Sequence, residues 1–443
     1  VSLVWIYSLK FSLRSLGREL VRNFWGRHFV YPVIAANERS REALARYVAR
    51  RAEQVGVPLA GDPASLPRLA PGSGLLTRQA LRQDPERLLR PRRLGSLIRS
   101  TIRTSGTSGT PLTIVQSLGN LVREEAFIYR QLRWIGYRHG QRRAWIRGDL
   151  VCDARPKDGR YWCRDWIGNM LMMSSYHLSD ASIGGYIAAL ERFDPVVIHA
   201  YPSSIAALAA WLNAHGRRYR GTALRGVMTS SETLAPAVRA AVREAFGVAV
   251  FDWYGQSERV AAIGTCEHGS YHVLSDYGGV ALLGADQSTS WELVGTSLNN
   301  LAMLLVRYRT GDRIILGGQP CPCGRVFPTV QAVLGRQETT VTLPDGRIVG
   351  RLDRIFQGHD RHLVEGQVVY RGGGRFVLRV VALAGFGEQD ARAIVGQFLL
   401  RVPGVEVTLE RVAAIPRGPN GKFEFIAVAP ERELCAPRAT DDV

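Results

Sequence analysis

Three groups of residues in this sequence have types and spacings that could do chemistry. The run Thr104-Ser105-Gly106-Thr107-Ser108-Gly109-Thr110-Pro111 sets hydroxyls among glycines between two apolar segments. Glycines let backbone N–H groups come close to an anion and the hydroxyls add donors, so the run suits phosphate oxygens. It is not a Walker loop, since no Gly-Lys-Ser/Thr ends it, and a flexible linker has the same composition. Cys266 and His272 are followed by Cys321 and Cys323. Three thiolates and one imidazole would close a tetrahedral zinc shell, leaving no position for an activated water. His268 rivals His272 as the fourth ligand, and reduced, unligated thiols are the alternative reading. Cys152, Cys163 and Cys435 have no partner spacing. The third group is defined by scarcity: Lys occurs only at 10, 157 and 422 among 57 Lys plus Arg. Arg replaces Lys at most solvated positions but not where a compact ammonium is required, which draws attention to Lys422.

These groups need a scaffold, and the middle of the chain reads as one. Apolar, β-branched runs at 196–200, 226–229 and 248–252 alternate with helical patterns, a β-α-β-α-β series. The first intervening helix should begin near Pro202-Ser203 and end at Gly216; the second has Pro236 in its first turn and Gly247 as terminator. In parallel sheets, ligands bind beyond the carboxyl ends of the strands. Those ends carry Tyr201-Pro202-Ser203, Ser230-Ser231-Glu232 and Tyr254-Gly255-Gln256-Ser257-Glu258. After Gly335 the character changes to a hairpin at Leu343-Pro344-Asp345-Gly346, a strand over 376–384, a helix with Ile394 and Phe398 on one face, and a strand over 406–412. That is the pattern of a small α+β domain.

Five segments in fixed order, Ser230-Ser231-Glu232, Tyr254 to Glu258, Tyr308-Arg309-Thr310-Gly311-Asp312, Gly335-Arg336 and Gly421-Lys422, resemble the adenylate-forming superfamily of acyl-CoA synthetases and related ligases. Within it the sequence is most similar to the phenylacetate–CoA ligase family, and Cys321-Pro322-Cys323-Gly324-Arg325 with Gly350-Arg351-Leu352-Asp353 point to its branch linked to capsule synthesis and deazaflavin-coenzyme adenylylation. The likeness runs from about residue 20 to residue 428. It implies an α/β fold: a large multi-layered domain with parallel-containing sheets over 1–334 and a smaller, mobile C-terminal α+β domain over 335–443. It implies an ATP-dependent ligase that turns a carboxylic acid, aryl or arylacetic, into an acyl-adenylate with release of pyrophosphate.

The resemblance also implies roles. Thr104, Ser105, Gly106, Thr107, Ser108, Gly109 and Thr110 would hold the ATP phosphates; Ser231, Glu232, Tyr254 and Gly255 would border the adenine. Glu258 would hold Mg²⁺, Ser257 would touch the α-phosphate region, and Asp312 with Arg336 would bind the ribose hydroxyls. Lys422 would reach the carboxylate and α-phosphate in the transition state, and the small domain would then rotate about Gly335-Arg336. Some relatives in this family bind a structural zinc at similar positions. The sequence departs from the common pattern at Thr110, where many relatives have Lys, and at Gln337-Glu338, where an acid pair is usual.

The acceptor stays open between CoA, giving a thioester, and an amine, giving an amide. A non-catalytic nucleotide- or zinc-binding scaffold is the reading from another class. Tyr176, His177, His199, Tyr201 and Trp253 could line an aromatic substrate pocket or pack in the core. The 443 residues, 46% hydrophobic and 22% charged, can fill two or three domains with a buried core, which excludes a disulfide-held mini-protein. The net charge of +18 comes from a background preference for Arg, spread along the chain, so it argues for no nucleic-acid partner. Six unevenly placed cysteines fit a reducing cytoplasm. The apolar start at 1–7 is broken by Lys10, Arg14 and Arg18 before it reaches the length of a membrane span. It reads as a leading helix docked on the large domain, with peripheral membrane contact through Trp5, Ile6 and Phe11 as the weaker alternative.

Overall fold

The computed structural model describes residues 3–59, 61–69, 74–92, 96–103, 112–153, 156, 158–284, 290–317, 320–334, 341–349, 352–356, 362–416 and 425–428. The β-α-β-α-β series forms as expected. Strands Val197–Ala200, Gly226–Ser230 and Ala249–Gly255 pair in parallel, joined by helices Pro202–Ala214 and Pro236–Phe246. Every residue of the first two strands is buried, which is why they read as unbroken apolar runs rather than as alternating ones. Pro202 and Pro236 stand at the helix starts, where a missing N–H costs nothing. Gly247 closes the second helix at φ +68°, a left-handed conformation that favours glycine.

This core extends into a nine-stranded sheet. Strand Arg143–Arg147 adds in parallel beside Val197–Ala200, followed by Met170–Ser174 in parallel and Trp162–Asp165 antiparallel. On the other side, Ala262–Thr265, Tyr271–Val273 and Thr329–Val330 continue the sheet antiparallel. Helices cover both faces. Ile183, Tyr186, Leu190, Ile205, Leu208 and Phe246 pack on one with Ile146, Ile198 and Val227. Leu44, Val48 and Phe127, from helices Arg41–Val55 and Leu118–Trp134, pack on the other with Met228 and Phe251.

A second, antiparallel sheet follows, ordered Gly278–Leu283, Trp291–Ser297, Tyr308–Ile315, Ala332–Leu334. The last layer is a four-stranded sheet ordered Glu406–Arg411, Arg375–Ala382, Leu363–Tyr370, Ile426–Val428, with helix Glu388–Arg401 packed on it through Ile394 and Phe398. The expected hairpin is present as Val341–Thr342 paired with Ile348–Val349. The protein is thus an α/β fold with multi-stranded, parallel-containing sheets and an α+β segment at its C-terminal end.

The leading helix Leu3–Arg18 docks by one face. Phe11 is buried beside Val151, Cys152 and Cys163, while Ser8 and Ser12 accept hydrogen bonds from the backbone N–H of Arg164 and Trp166 at 3.1 and 2.9 Å. Trp5 and Ile6 face outward instead.

Candidate active site and metal centre

The carboxyl ends of the parallel strands bring several of the expected residues together. Tyr254 lies in strand Ala249–Gly255, and its hydroxyl donates to Asp312 Oδ2 at 2.8 Å from strand Tyr308–Ile315 of the second sheet. Reciprocally, Tyr308 donates to Glu258 Oε1 at 2.9 Å. Two tyrosines therefore tie the end of the central sheet to the second sheet, each through a carboxylate supplied by the other side. Both carboxylates are buried, and Arg78 approaches Glu258 at 4.0 Å. Burial, then the negative charge of Asp312 and, more weakly, of Glu258, keep the Tyr254 phenol far above its ordinary pKa, so it stays a donor. Ser257 offers its carbonyl to Gln116 at 3.2 Å.

Ser231 follows the neighbouring strand at φ +73°, and its hydroxyl accepts from Arg147 at 2.5 Å. A non-glycine residue in that region is a strained position held by its surroundings. Glu232 accepts from the Ser203 backbone N–H at 2.9 Å and from the Ser203 hydroxyl at 3.0 Å, placing a carboxylate at the start of helix Pro202–Ala214. That end of a helix attracts negative charge.

His199 is buried, 3.0 Å from the Ser230 hydroxyl and edge-on to Trp145. Burial, then the charges of Arg147 and Arg143, hold its pKa well below the usual value, so the ring is neutral. It lines a cavity of about 520 Å³ between the central sheet, helix Leu118–Trp134 and the leading helix, along with Trp145, Arg143 and Arg147. Tyr201 is buried with Arg147 over its ring at 5.1 Å; Trp253 sits in the core edge-on to Tyr277. Gly148 passes close to the hydroxyls of Tyr176 and Tyr201, where a Cβ would meet them at 2.8 and 2.9 Å, so only glycine fits without a shift. His177 bonds the Ser174 hydroxyl at 2.7 Å and stacks on Tyr161, at the carboxyl end of strand Met170–Ser174.

Thr104 to Pro111, Gly335-Arg336, Gly350-Arg351 and Lys422 lie outside the described residues, as does Cys435. Sequence reasoning missed Arg147, Arg78 and Tyr308. The Arg background hid the first two, and Tyr308 stood in a quoted motif without a role.

The metal-ligand set does converge. Cys266, His272, Cys321 and Cys323 bring their ligand atoms within 4.8 Å of one another. The Cys266 and Cys321 sulfurs are 3.5 Å apart, and Cys323 Sγ is 3.4 Å from His272 Nε2. Tetrahedral zinc with Zn–S near 2.3 Å and Zn–N near 2.0–2.1 Å calls for S···S of about 3.8 Å and S···N of about 3.6 Å, so the residues fit the ion with small adjustments. The structure resolves the choice between histidines: His272, on strand Tyr271–Val273, is fully buried in the cluster, while His268 is exposed on the preceding turn. Burial pushes the Cys266 thiol up to about 12. Burial also acts to raise Cys321, but hydrogen bonds from Ser270, Cys323 and Cys266 outweigh it and leave that thiol below its ordinary value. Arg325 stacks over Trp134 at 4.2 Å, beside Cys323, where a positive charge would offset thiolates. Arg39 donates to the Cys323 carbonyl at 2.7 Å.

No protein-family profile matches this chain. Protein CapK of Staphylococcus aureus is 21% identical to it over 358 residues, 79% of this chain and 78% of that protein. A phenylacetate-coenzyme A ligase of Thermus thermophilus is 28% identical over 162 residues, 34% of this chain and 36% of that protein. A solved 2-hydroxyisobutyryl-CoA ligase in complex with 2-HIB-AMP and CoA aligns over 96% of this chain and 91% of that one, at 16% identity and a TM-score of 0.48.

Proposed function

We propose, from its place among the adenylate-forming, phenylacetate–CoA ligase-like proteins, that this chain is an AMP-forming ligase that activates a carboxylic acid with ATP and passes the acyl group to CoA. The observation that carries the site assignment is the reciprocal pair Tyr254–Asp312 and Tyr308–Glu258, which joins the end of the parallel sheet to the second sheet through two buried carboxylates.

In this reading, an oxygen of the substrate carboxylate attacks the α-phosphorus of ATP, and the bond from that phosphorus to the pyrophosphate oxygen breaks. Both partners are anions, so the approach needs positioned cations and donors. Asp312 would accept from the ribose hydroxyls, held in place by Tyr254 and assisted by Arg336. Ser231, Glu232 and Gly255 would border the adenine. Ser257 lies beside Glu258, which would bind the Mg²⁺ that accompanies ATP, with Tyr308 and Arg78 fixing its orientation. The run Thr104 to Thr110 would cradle the phosphates, and Lys422, from a C-terminal domain beginning near 335, would meet the charge that develops at the α-phosphate. The CoA sulfur then attacks the acyl carbonyl and AMP leaves.

The acid would enter the 520 Å³ cavity at His199; its aromatic walls and arginines favour an aromatic carboxylate. Zinc, held by Cys266, His272, Cys321 and Cys323, would have no open coordination position. It would fasten the sheet edge and take no part in the reaction.

A screen of carboxylic acids for Mg²⁺-dependent pyrophosphate release tests the reading. At least one acid should support turnover, Lys422→Ala should abolish it, and the product mass should be that of a CoA thioester. Folded wild-type protein that releases no pyrophosphate with any acid would refute it, and an amide product would replace CoA as the acceptor.

A further inference from the structure

One wall of the cavity at His199 carries a cation at each end of an aromatic middle. Strand Arg143–Arg147 turns alternate side chains to its two faces. Ala144 and Ile146 pack into the core, while Arg143, Trp145 and Arg147 line the cavity. At ~3.3 Å per residue the Cα atoms of the two arginines are about 13 Å apart, with Trp145 midway. Beside Trp145 in the sheet stand Met172 on one neighbouring strand and His199 on the other. Burial, then the charges of Arg147 and Arg143, keep the His199 ring neutral, so the middle of this wall is uncharged.

The two arginines differ in what they hold. Arg147 donates to the Ser231 hydroxyl, at the end of the cavity where the adenine would lie. Arg143, at the opposite end, has no acidic partner among the described residues. Its Nε is buried without an acceptor, its Nη2 reaches the Met170 sulfur at 3.4 Å, and its guanidinium lies 5.1 Å from the Tyr137 ring. The acids on the cavity wall are engaged elsewhere. Asp149 pairs with Arg14 at 3.4 Å, Glu125 with Arg22 at 2.9 Å, and Glu19 with Arg27. Asp165 accepts from Ser15, and Glu124 accepts from Tyr277 at 2.6 Å. Six arginines and five acids line the cavity, so its wall keeps a positive excess. Arg18 shares in that excess: burial, then the charges of Arg14 and Arg22, hold its pKa down to about 10, and Glu125 and Asp149 act on it more weakly. A guanidinium withdrawn from water without a counter-charge is costly, and an anionic ligand relieves that cost.

We infer that the acid activated here is an aromatic acid with a second anionic group, a carboxylate or a phosphate, at the far end of its ring. The carboxylate to be adenylated lies at the Arg147 end, the ring lies against Trp145 and His199, and Arg143 holds the second anion. This rests on the ligase reading of the site and adds to it the residue that selects the substrate.

Benzoic and phenylacetic acids with hydrogen, carboxamide, carboxylate or phosphate at the para position test it, by pyrophosphate release and by calorimetric binding without nucleotide. In wild type the para-carboxylate or para-phosphate acid should exceed the neutral carboxamide about 10- to 100-fold in kcat/KM and in affinity, as expected for a charge-assisted hydrogen bond. The better of the two tells which anion Arg143 selects. Arg143→Gln should bring that ratio within about threefold, and Arg143→Glu should reverse it in favour of a para-aminomethyl acid, a gain that misfolding cannot produce. Wild type that binds and turns over the carboxamide as well as both charged acids, or Arg143→Gln that folds and keeps the ratio, overturns the inference and leaves the ligase reading standing. Preferential binding of the charged acids with no pyrophosphate release from any acid overturns the ligase reading, and with it the claim that the bound acid is activated.

Discussion

Replacing Cys323 by serine should cost the protein one bound zinc and a definite amount of stability. The ligand pairs Cys266–Cys321 and His272–Cys323 are 55 and 51 positions apart, so a bound ion closes a long loop. Restricting a loop of that length in the unfolded chain is worth roughly 4 kcal/mol by the chain-entropy relation. For a 443-residue chain unfolding as one unit, at about 2.1 cal/mol/K per residue, this corresponds to a melting temperature lower by about 4–5 °C. Elemental analysis of protein purified under reducing conditions should find one zinc per wild-type chain and well under half of one in Cys323→Ser. Calorimetry should find the variant's melting temperature matched by wild type stripped with a chelator, and chelator should not lower the variant further. His268→Ala should keep its zinc. Wild-type protein that carries no zinc as purified, or a stripped chain that melts with the untreated one, would contradict the geometric reasoning.

Asp312→Asn and Tyr254→Phe should each raise the KM for ATP in pyrophosphate release by about 10- to 100-fold, the loss of one or two charge-assisted hydrogen bonds, with the aspartate variant the more severe. The buried pair Arg130–Asp276, at 2.7 Å with 1% and 0% side-chain exposure, predicts a loss of about 3–5 kcal/mol in Arg130→Met, read from denaturant midpoints, because Asp276 would be left as an uncompensated buried charge. His199 carries a pKa well below 6.5 in the folded state, so below pH 6.5 the unfolded chain takes up the proton more readily and stability falls as the pH drops. His199→Gln should flatten that part of the stability profile, measured by melting between pH 7 and pH 5.

What could be read in advance follows from how local the signal is. Val197–Ala200 and Gly226–Ser230 announce themselves because both faces are buried and every residue except His199 is apolar or small. Strands Arg143–Arg147 and Trp162–Asp165, beyond Val197–Ala200 in the sheet, carry arginines at half-buried or exposed positions and gave no such run. The candidate metal ligands stand out by residue type, yet the choice between His268 and His272 depended on which one a strand turns inward. Arg147 and Arg78 do not stand out, since 57 basic residues include almost nothing but arginine and only contact with Ser231 or Glu258 distinguishes these two. At the N-terminus, apolar residues at positions 5, 6, 9, 11 and 13 satisfy a docked helix equally well whichever side is buried. The structure assigns Phe11 to the inside and leaves the others in solvent.

The outermost strand of the central sheet has a consequence for synthesis. Thr329–Val330 completes strand Tyr271–Val273, and Cys321 and Cys323 join Cys266 and His272, only after some fifty more residues have been translated. At about 5–20 residues per second, the growing polypeptide leaves the ribosome with an unpaired β edge and two lone donors for roughly 3–10 s. During that interval the nascent sheet must be shielded, so yield in a cell should depend on chaperone supply and on free zinc at the moment the later cysteines emerge.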